Sequence, residues 1–262
     1  MRPDMTITVA QCPGDLDTPR DRLDWITSEL SALPKTDLVL LPELFACGYN
    51  IGDAVTRRAE PRDGPFARAM SDLARRYDTA LCYGYAECAG DTVHNSALCL
   101  DATGRPVANH RKLLLPPGFE ADHFAPGRDA TLFDLGPFRC GLLICYDVEF
   151  PENVRHLAAA GAELILVPTA LGAEWGVVSD HLVPARAFEN GVFVAYADNS
   201  GSQNGLAYFG GSCVAGPRGE VLARTERGPG IATATLTHAA VASAQERLPY
   251  LRDRASLPWV TS

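Results

Sequence analysis

Three residues of this chain carry the side chains that nucleophilic acyl transfer needs. Cys145 offers a thiol nucleophile, Glu43 a carboxylate that can act as a base, and Lys112 an ammonium that can stabilise an oxyanion. Each lies at or just past the C-terminal end of a stretch that we interpret as a strand, and nucleophiles gather at such positions in α/β folds. Their order in the chain does not by itself bring them together, but their shared position favours a catalytic site.

The sequence around Cys145 is the most informative part of the chain. The apolar run 142–144 predicts a buried strand that ends on Cys145, and residues 146–150 form a short polar connection. A helix over 152–160 follows, because Pro151 is tolerated in a first helical turn and the Glu152 carboxylate suits its positive end. The alternative is that Cys145 is a small buried hydrophobic residue, as most free cysteines are.

Lysine is rare in this chain, which makes Lys112 more informative than an ordinary basic residue. Of the 23 basic residues, only Lys35 and Lys112 are lysines. Lys35 lies in a predicted loop, where we expect it to be solvated. Lys112 follows a predicted strand, and its compact ammonium with three rotatable donors differs physically from the guanidinium that the chain uses elsewhere.

Short strand signals alternate with longer helical signals along the whole chain. Predicted strands cover 6–10, 37–41, 80–86, 96–100, 106–109, 130–134, 138–145, 164–167, 192–197, 210–215, 221–224 and 231–235, and predicted helices cover 19–33, 65–77, 152–160, 175–190 and a short segment from His238. Strands and helices in both halves favour a layered α/β sandwich. The chain has no linker-like segment, so we expect a single domain over 1–262 with a C-terminal tail over 248–262.

The composition is that of a globular protein and disfavours several classes of partner. The formal net charge is −9 and there is no basic stripe, so we expect neither nucleic acid nor a membrane surface as a partner. No apolar run approaches the roughly 18 residues of a membrane span, and residues 1–10 do not resemble a secretory signal. The eight cysteines include no C-x-x-C pair and the six histidines show no ligand spacing, so we expect no metal or cofactor and a cytoplasmic location.

Several motifs together resemble the signatures of the nitrilase superfamily of carbon–nitrogen hydrolases. The three main ones are Leu-Pro-Glu-Leu-Phe at 41–45, Arg-Lys-Leu at 111–113, and Cys-Tyr-Asp at 145–147 followed by Phe-Pro-Glu at 150–152, and further landmarks lie at 95–97, 168–170, 186–190 and 208–212. The resemblance implies a four-layer αββα sandwich that pairs as an αββα–αββα homodimer or a larger assembly. It also implies the catalytic set Glu43, Lys112 and Cys145, with a second glutamate at Glu120.

The resemblance implies a mechanism for these residues. Glu43 takes the proton of Cys145, the thiolate attacks an amide carbonyl, and Lys112 with the backbone N–H of Tyr146 stabilises the oxyanion. Glu120 holds Lys112 and the substrate in place. Taken singly, Glu43 could instead be a charge at a helix N-terminus, Lys112 a solvated strand end and Glu120 a loop carboxylate, since charged residues are mostly exposed. The alternative class of protein is a catalytically silent binding or scaffold protein on the same fold.

One position bears on the substrate. Many omega-amidases of this superfamily have Arg-Phe-Pro-Glu after the nucleophile, whereas this chain has Glu149 in place of the arginine. Together with Cys-Tyr-Asp at 145–147, a glutamate at this position makes the chain most similar to amidases that act on amino-bearing aliphatic amides. The alternative is that Glu149 forms an ion pair with a nearby arginine. Glu174 and Trp175 follow another landmark and are candidates to bind a cation. An omega-amidase and an N-carbamoyl-amine hydrolase remain alternatives.

Overall fold

The computed structural model describes residues 3–258 and 260. The strands are β1 (Met5–Pro13), β2 (Leu38–Leu40), β3 (Ala80–Ala89), β4 (Thr92–Leu100), β5 (Pro106–Arg111), β6 (Thr131–Leu135), β7 (Phe138–Leu142), β8 (Leu164–Pro168), β9 (Phe193–Ala197), β10 (Asn199–Ser200), β11 (Ser202–Gln203), β12 (Leu206–Ala207), β13 (Cys213–Ala215), β14 (Val221–Arg224) and β15 (Gly230–Leu236). The α-helices are α1 (Pro19–Ala32), α2 (Ala54–Arg58), α3 (Pro65–Tyr77), α4 (Phe119–His123), α5 (Pro151–Ala159), α6 (Val183–Asn190), α7 (His238–Arg247) and α8 (Tyr250–Arg254).

The strands form two main sheets. The first has the order β15–β1–β2–β3–β4–β5, with β10 pairing the end of β1, and the second has the order β14–β13–β9–β8–β7–β6. In the first sheet β1, β2 and β3 are parallel and β4 is antiparallel to β3 and β5. In the second sheet β7, β8 and β9 are parallel. The strands β2, β5, β7 and β8 all end close to the residues that the sequence singles out.

Apolar side chains divide the molecule into four layers. One buried cluster lies between the sheets and joins residues such as Val9 and Leu40 to Leu142 and Leu166. A second cluster packs the outer face of the first sheet against α1 and α3, and a third packs the outer face of the second sheet against α5 and α6. Because the central strands are buried on both faces, their sequences are continuous apolar runs. The predicted αββα sandwich is confirmed.

Local sequence signals define several of the helices. At the start of α1, Thr18 Oγ1 accepts from the Asp21 backbone N–H at 3.1 Å, and the Asp21 carboxylate accepts from the Thr18 backbone N–H at 3.0 Å. The helix α3 begins with Pro65 in its first turn and ends at Tyr77, and the capping residue Asp78 is in the left-handed region with φ 50°. Both helices therefore lie within one residue of their predicted bounds.

Several predicted elements were wrong in their extent, and three of them have a clear physical cause. The strand predicted over 138–145 ends at Leu142. The short polar connection predicted over 146–150 is a 3₁₀ turn over Cys145–Glu149, because the Asp147 carboxylate accepts the backbone N–H of Ile144. The helix predicted over 175–190 is broken into a 3₁₀ turn (Ala173–Trp175), a π turn (Val178–Leu182) and α6, where Pro184 lacks the N–H for a regular ladder. The strand predicted over 210–215 begins only at Cys213 because Gly210 and Gly211 both have positive φ.

The described part of the chain contains neither a membrane-spanning helix nor a metal-ligand cluster. No helix among residues 3–258 is long and apolar enough to cross a membrane. The same residues contain no group of three or more His, Cys, Asp or Glu side chains placed to hold a metal ion.

Candidate active site

The residues predicted to act together follow strands that end at the same edge of the two sheets. Because β5 is antiparallel to β4, which is antiparallel to β3, the carboxyl ends of β2, β3 and β5 point the same way. Glu43 follows β2, and Lys112 follows β5 directly. The Glu43 backbone N–H donates to the Thr169 carbonyl at 3.2 Å, which joins this edge of the first sheet to the end of β8 in the second.

Glu43 lies in a loop that crosses closely over β3. Gly84 of β3 permits this crossing, because a Cβ at position 84 would lie 2.6 Å from the Glu43 Cα and 2.3 Å from the Leu44 nitrogen. Leu44 itself has a positive φ of 49°, which is unusual for a large side chain. Such strain persists where the surrounding packing fixes it, and it is typical of functional sites.

Cys145 begins a tight turn rather than ending a strand. Its φ of 44° places it in the left-handed region, and its side chain is buried with 8% exposure. The Asp147 carboxylate fixes the turn, since it accepts the backbone N–H of Ile144 at 3.2 Å and that of Leu114 at 2.9 Å. One carboxylate therefore ties the turn of Cys145 to the segment that follows Lys112.

Lys112 lies between two carboxylates in the protein interior. Its Nζ donates to Glu43 Oε1 at 2.7 Å and to Glu120 Oε1 at 2.6 Å, and all three side chains are at most 1% exposed. A buried ammonium is stable only when paired in this way. The structure thus brings together the three charged residues that the sequence predicted, with Glu120 supplied by α4.

Asn95 completes this cluster and was not among the predicted site residues. Its Nδ2 donates to Glu43 Oε1 at 2.6 Å and to Glu120 Oε2 at 3.0 Å, so it bridges the same two carboxylates as Lys112. The Asn-Ser-Ala string at 95–97 is one of the landmarks of the family resemblance, but its position in the chain does not indicate a role for Asn95. Within the described residues, Glu43 Oε2 is buried without a hydrogen-bond partner, so it is available to accept a proton.

Burial and the neighbouring charges determine the ionisation of the cluster. Desolvation raises the pKa of Glu43 to about 7, and Glu120 adds to this effect while Lys112 opposes it. Desolvation alone would lower the pKa of Lys112, but the carboxylates of Glu43 and Glu120 outweigh it and raise that pKa, so Lys112 stays an ammonium. Burial raises the pKa of the Cys145 thiol well above its usual value, and the negative charge of Glu43 reinforces this. The resting pair is therefore a thiol beside a carboxylate that titrates near neutrality.

A cavity of about 730 Å³ opens over Cys145 and Glu120. Its wall includes all four residues predicted to bind substrate, namely Tyr146, Glu149, Glu174 and Trp175. Trp175 is 58% exposed and Glu174 is also exposed, so both lie at the mouth. Tyr49 and the hairpin residues Gly205, Leu206 and Ala207 also line the cavity, and no motif in the sequence points to them.

Glu149 brings a half-buried carboxylate to this cavity. Burial raises its pKa, while the charges of Lys112 and Arg186 oppose the shift. Arg186 is the arginine available for an ion pair, but its guanidinium donates to the Glu149 backbone carbonyl at 2.6 Å and pairs with Glu189 at 3.1 Å. Among the described residues, no ion pair within 4.0 Å holds the Glu149 carboxylate.

Comparison with known proteins identifies the family. The carbon–nitrogen hydrolase family matches residues 6–246. The chain is 39% identical over 256 residues to a protein of Pseudomonas protegens called "Hydrolase in pqqF 5'region", covering 95% of this chain and 89% of that one. It is 31% identical over 252 residues to an (R)-stereoselective amidase of Pseudomonas sp., covering 95% and 91%.

Solved structures of an amidase from Nesterenkonia sp. AN1 have the same fold. One, in complex with acrylamide, superposes with a TM-score of 0.80 at 31% identity and covers 96% of this chain and 97% of that one. Another, with a TM-score of 0.80, 32% identity and the same coverages, shows covalent addition of the acetamide moiety of fluoroacetamide at the active-site cysteine of that amidase.

The αββα sandwich and the buried Glu–Lys–Glu cluster beside a cysteine define an enzyme class, that of hydrolases acting on carbon–nitrogen bonds. The chain belongs to the carbon–nitrogen hydrolase family, within the nitrilase superfamily, and is similar to its amidases. The resemblance stated from the motifs is thereby confirmed.

Proposed function

We propose that this protein is an amidase that hydrolyses the carboxamide of a small aliphatic amide to the acid and ammonia through a thioester on Cys145. The observation that carries the proposal is the buried Lys112 ammonium held between Glu43 and Glu120, beside a cavity that Glu120 and Cys145 line. The covalent adduct at the cysteine of the Nesterenkonia amidase supports the role of Cys145. A silent binding protein has no chemical need for this charged set.

The first half of the reaction forms the thioester. The Cys145 proton moves to Glu43 Oε2, which is free to accept it, as the sulfur forms a bond to the carbonyl carbon. The carbonyl oxygen becomes an oxyanion, stabilised by the backbone N–H of Tyr146 and by Lys112. The Lys112 ammonium has three N–H donors and donates two of them to the carboxylates, so one remains for the substrate. When the tetrahedral intermediate collapses, Glu43 gives its proton to the leaving nitrogen and ammonia departs.

The second half releases the acid. Glu43, ionised again, takes a proton from water as the water oxygen attacks the thioester carbon. The carbon–sulfur bond breaks, and the proton returns from Glu43 to the thiolate. Glu120 keeps Lys112 in place through both halves. A donor in such an oxyanion site is worth roughly 3–4 kcal/mol of transition-state stabilisation.

We further propose that the preferred substrate carries an amino or guanidino group. The Glu149 carboxylate lies half-buried in the cavity wall without an ion-pair partner, so a cationic substrate would supply one. Glu174 adds negative charge at the mouth, and the Trp175 ring offers a face for the same cation. An omega-amidase, which takes an anionic substrate, would place a cation here.

We also propose a homodimer or a larger homo-oligomer, formed by a single-domain protein of the cytoplasm. Of the C-terminal arm over 248–262, residues 259, 261 and 262 lie outside the described part of the chain. Its described part supports pairing, because Leu248, Tyr250 and Leu257 expose apolar side chains that a second copy would cover. The cysteines of the described chain are all free, in keeping with a reducing compartment. Sedimentation of the purified protein would test the assembly.

One substrate panel tests the proposed reaction. Ammonia release would be measured from 5-aminopentanamide, butyramide, succinamate, an aliphatic nitrile and an N-carbamoyl amine, with Cys145→Ala as the inactive control. We expect turnover of the amides, fastest for 5-aminopentanamide, and loss of all turnover in the variant. Succinamate as the best substrate would indicate an omega-amidase, the carbamoyl amine a carbamoyl hydrolase, and no turnover at all a binding protein.

A further inference from the structure

A second cavity, of about 580 Å³, lies beside β4 and β5. Its wall comes from the end of β3, from β4 and β5, from the loop over 125–129, from the start of β6 and from Arg62. Within the described chain it shares no lining residue with the cavity over Cys145. The two cavities are therefore separate, and the proposed reaction uses no residue of the second one.

The chain at the end of β5 directs neighbouring side chains to different cavities. Successive residues of an extended chain point to opposite faces. Lys112 donates to Glu43 and Glu120 in the catalytic cluster. Arg111, the residue before it, lines the second cavity and donates to Glu87, from Nε at 2.9 Å and from Nη2 at 2.7 Å. The segment that places the catalytic ammonium thus also places a guanidinium in the second cavity.

The Glu87 carboxylate holds this guanidinium in place. Arg111 contacts both of its oxygens, and Ser96 Oγ and Asn109 Nδ2 donate to its Oε2 at 2.7 and 3.1 Å. Burial alone would raise the pKa of Glu87, but these donors outweigh it and lower that pKa to about 2, so the carboxylate stays charged. Arg111 uses Nε and Nη2 for this pair, so within the described chain its Nη1 keeps two N–H groups for another acceptor.

Two more guanidinium groups line the second cavity, and neither forms an ion pair. Arg62 and Arg128 are exposed at its wall, and no carboxylate among the described residues lies within 4.0 Å of either guanidinium. Asp129 lines the cavity too, so its wall carries three arginines, Arg111 included, and two carboxylates. The wall is therefore positively charged overall, although the formal net charge of the chain is −9.

The loop over 125–129 is held against β4 and β5 by hydrogen bonds. His94 Nδ1 donates to the Ala125 carbonyl at 2.8 Å. The Gly127 backbone N–H donates to the Lys112 carbonyl at 2.7 Å. Gly127 passes the strand so closely that a Cβ there would lie 2.2 Å from the last carbonyl oxygen of β5. The loop therefore has a fixed position, and the cavity is formed before any ligand binds.

We propose that the second cavity binds a small organic dianion through its carboxylate or phosphate oxygens. Guanidinium groups bind such oxygens with paired N–H···O bonds, and an arginine whose fork is already held loses less freedom on binding. Arg111 meets that condition, and Arg62 and Arg128 supply guanidinium groups without an ion pair in the described chain. The volume of about 580 Å³ is in the range of small-molecule sites and is more than a single phosphate group fills.

The cavity over Cys145 does not offer a dianion the same surroundings. Glu149 and Glu174 line it, and within the described chain no arginine or lysine does. A dianion there would lie close to like charges, which is costly. The two cavities therefore differ in the charge of the molecule they accept, and binding at the second does not depend on the reaction proposed for the first.

The test is isothermal titration calorimetry of malonate and of glycerol 3-phosphate into the purified protein at low ionic strength, where screening is weak. The variant Arg62→Gln/Arg128→Gln removes both unpaired guanidinium groups. The matched control is Arg57→Gln/Arg247→Gln, which removes the same charge from two exposed arginines that line neither cavity. Melting temperatures of all three proteins are compared, and they should agree because each substituted side chain is exposed.

We expect saturable binding of at least one probe at about one molecule per chain. The Kd should weaken by at least about tenfold in Arg62→Gln/Arg128→Gln and stay within about twofold in the control. Binding of malonate alone would identify a dicarboxylate, binding of glycerol 3-phosphate alone a phosphate ester, and binding of both a site that recognises their common charge. The proposal fails if neither probe binds, if Arg62→Gln/Arg128→Gln binds as wild type does, or if the control loses as much affinity.

Discussion

Gly84 and Glu43 approach each other so closely that position 84 has no room for a side chain. A Cβ there would lie 2.6 Å from the Glu43 Cα and 2.8 Å from its carbonyl carbon, which is closer than real Cβ atoms come to backbone. The same crossing is held by hydrogen bonds on both sides, from Gly84 N–H to Pro42 and from Ala46 N–H to Gly84, each at 3.0 Å. The backbone of β3 therefore fixes the position of the base.

Gly84→Ala should move the base without removing it. The added methyl group meets backbone atoms that cannot rotate away, so the loop of Glu43 must shift, and a displacement of about 1 Å can cost about 10²-fold in turnover. Gly228→Ala is the control, because a Cβ there has no atom within 4 Å. Ammonia release and thermal unfolding would be measured together. Normal turnover in Gly84→Ala at wild-type stability would contradict this account of Glu43.

Lys112→Arg should be far from a conservative change. The ammonium fits between Glu43 and Glu120 as a compact charge, and a guanidinium is larger and places its donors elsewhere. We expect kcat to fall by at least about 10²-fold, the scale of losing one oxyanion donor. Lys35→Arg, at the only other lysine, is the matched control because Lys35 is exposed and paired with Asp78. Near-normal kcat in Lys112→Arg would exclude Lys112 as an oxyanion partner.

The activity should depend on pH through Glu43. Its raised pKa of about 7 means that the carboxylate is protonated below neutrality and cannot accept the thiol proton, so kcat/KM should rise with pH through about 7. The pKa of Lys112 is raised, so the ammonium persists and gives no loss on the alkaline side at moderate pH. A profile measured between about pH 5 and pH 9 checks this. A flat profile down to pH 5, near the ordinary glutamate value, would be the contrary result.

A limiting amount of an alkylating agent should inactivate the enzyme through Cys145. The cavity gives reagents access to this thiol, and Glu43 can take its proton during attack, although the resting thiol has a raised pKa. Cys88 is the competitor to control for, because it is the one cysteine in the described chain that is not buried. In Cys88→Ser we expect one label per chain, on Cys145, with loss of activity. Full labelling with activity retained would count against the nucleophile.

Much of the layered fold could be predicted because its central strands are buried on both faces. Continuous apolar runs such as those of β2 and β8 are visible in the sequence. The helices α1 and α3 both begin with a proline, and α1 also has a capping box, so these signals act locally. The breaks in the helix over 175–190 and the turn at Cys145 were not predicted in this way. The break at Pro184 was overlooked although proline is a local signal. The turn at Cys145 depends on the Asp147 carboxylate, which also accepts the backbone N–H of Leu114, 33 residues away in the chain.

The residues of the candidate site likewise fall into those that motifs predicted and those that only the fold reveals. Glu43, Lys112, Cys145 and Glu120 were found from motifs, and the structure places the three charged residues in hydrogen-bond contact. Asn95 and Tyr49 were missed as site residues since an asparagine in a strand and a tyrosine in a loop carry no local mark of function. They join the site through hydrogen bonds across 52 and 71 residues of sequence, which only the fold reveals.

Glu149→Gln should change which substrates the enzyme prefers. The wild-type carboxylate lies in the cavity wall without an ion pair, so it should attract an ammonium or guanidinium and repel an anion, and close like charges can cost several kcal/mol. We expect kcat/KM in the order basic, neutral, then omega-carboxy amides. Glu149→Gln removes the charge and keeps the shape, so the difference in kcat/KM between 5-aminopentanamide and butyramide should become smaller. The change should come mainly from a higher KM for 5-aminopentanamide.

The matched control for this prediction is Glu152→Gln. Glu152 is an exposed carboxylate on the next helix and does not line the cavity, so its loss changes the net charge by the same amount without changing the pocket. The substrate order should then stay as in wild type. Two results would contradict the role of Glu149: an unchanged order in Glu149→Gln together with a lower melting temperature, which would make the carboxylate structural, or succinamate as the best wild-type substrate. In the second case the half-buried carboxylate would have to be protonated or turned away during binding, because an anion beside it would otherwise be repelled.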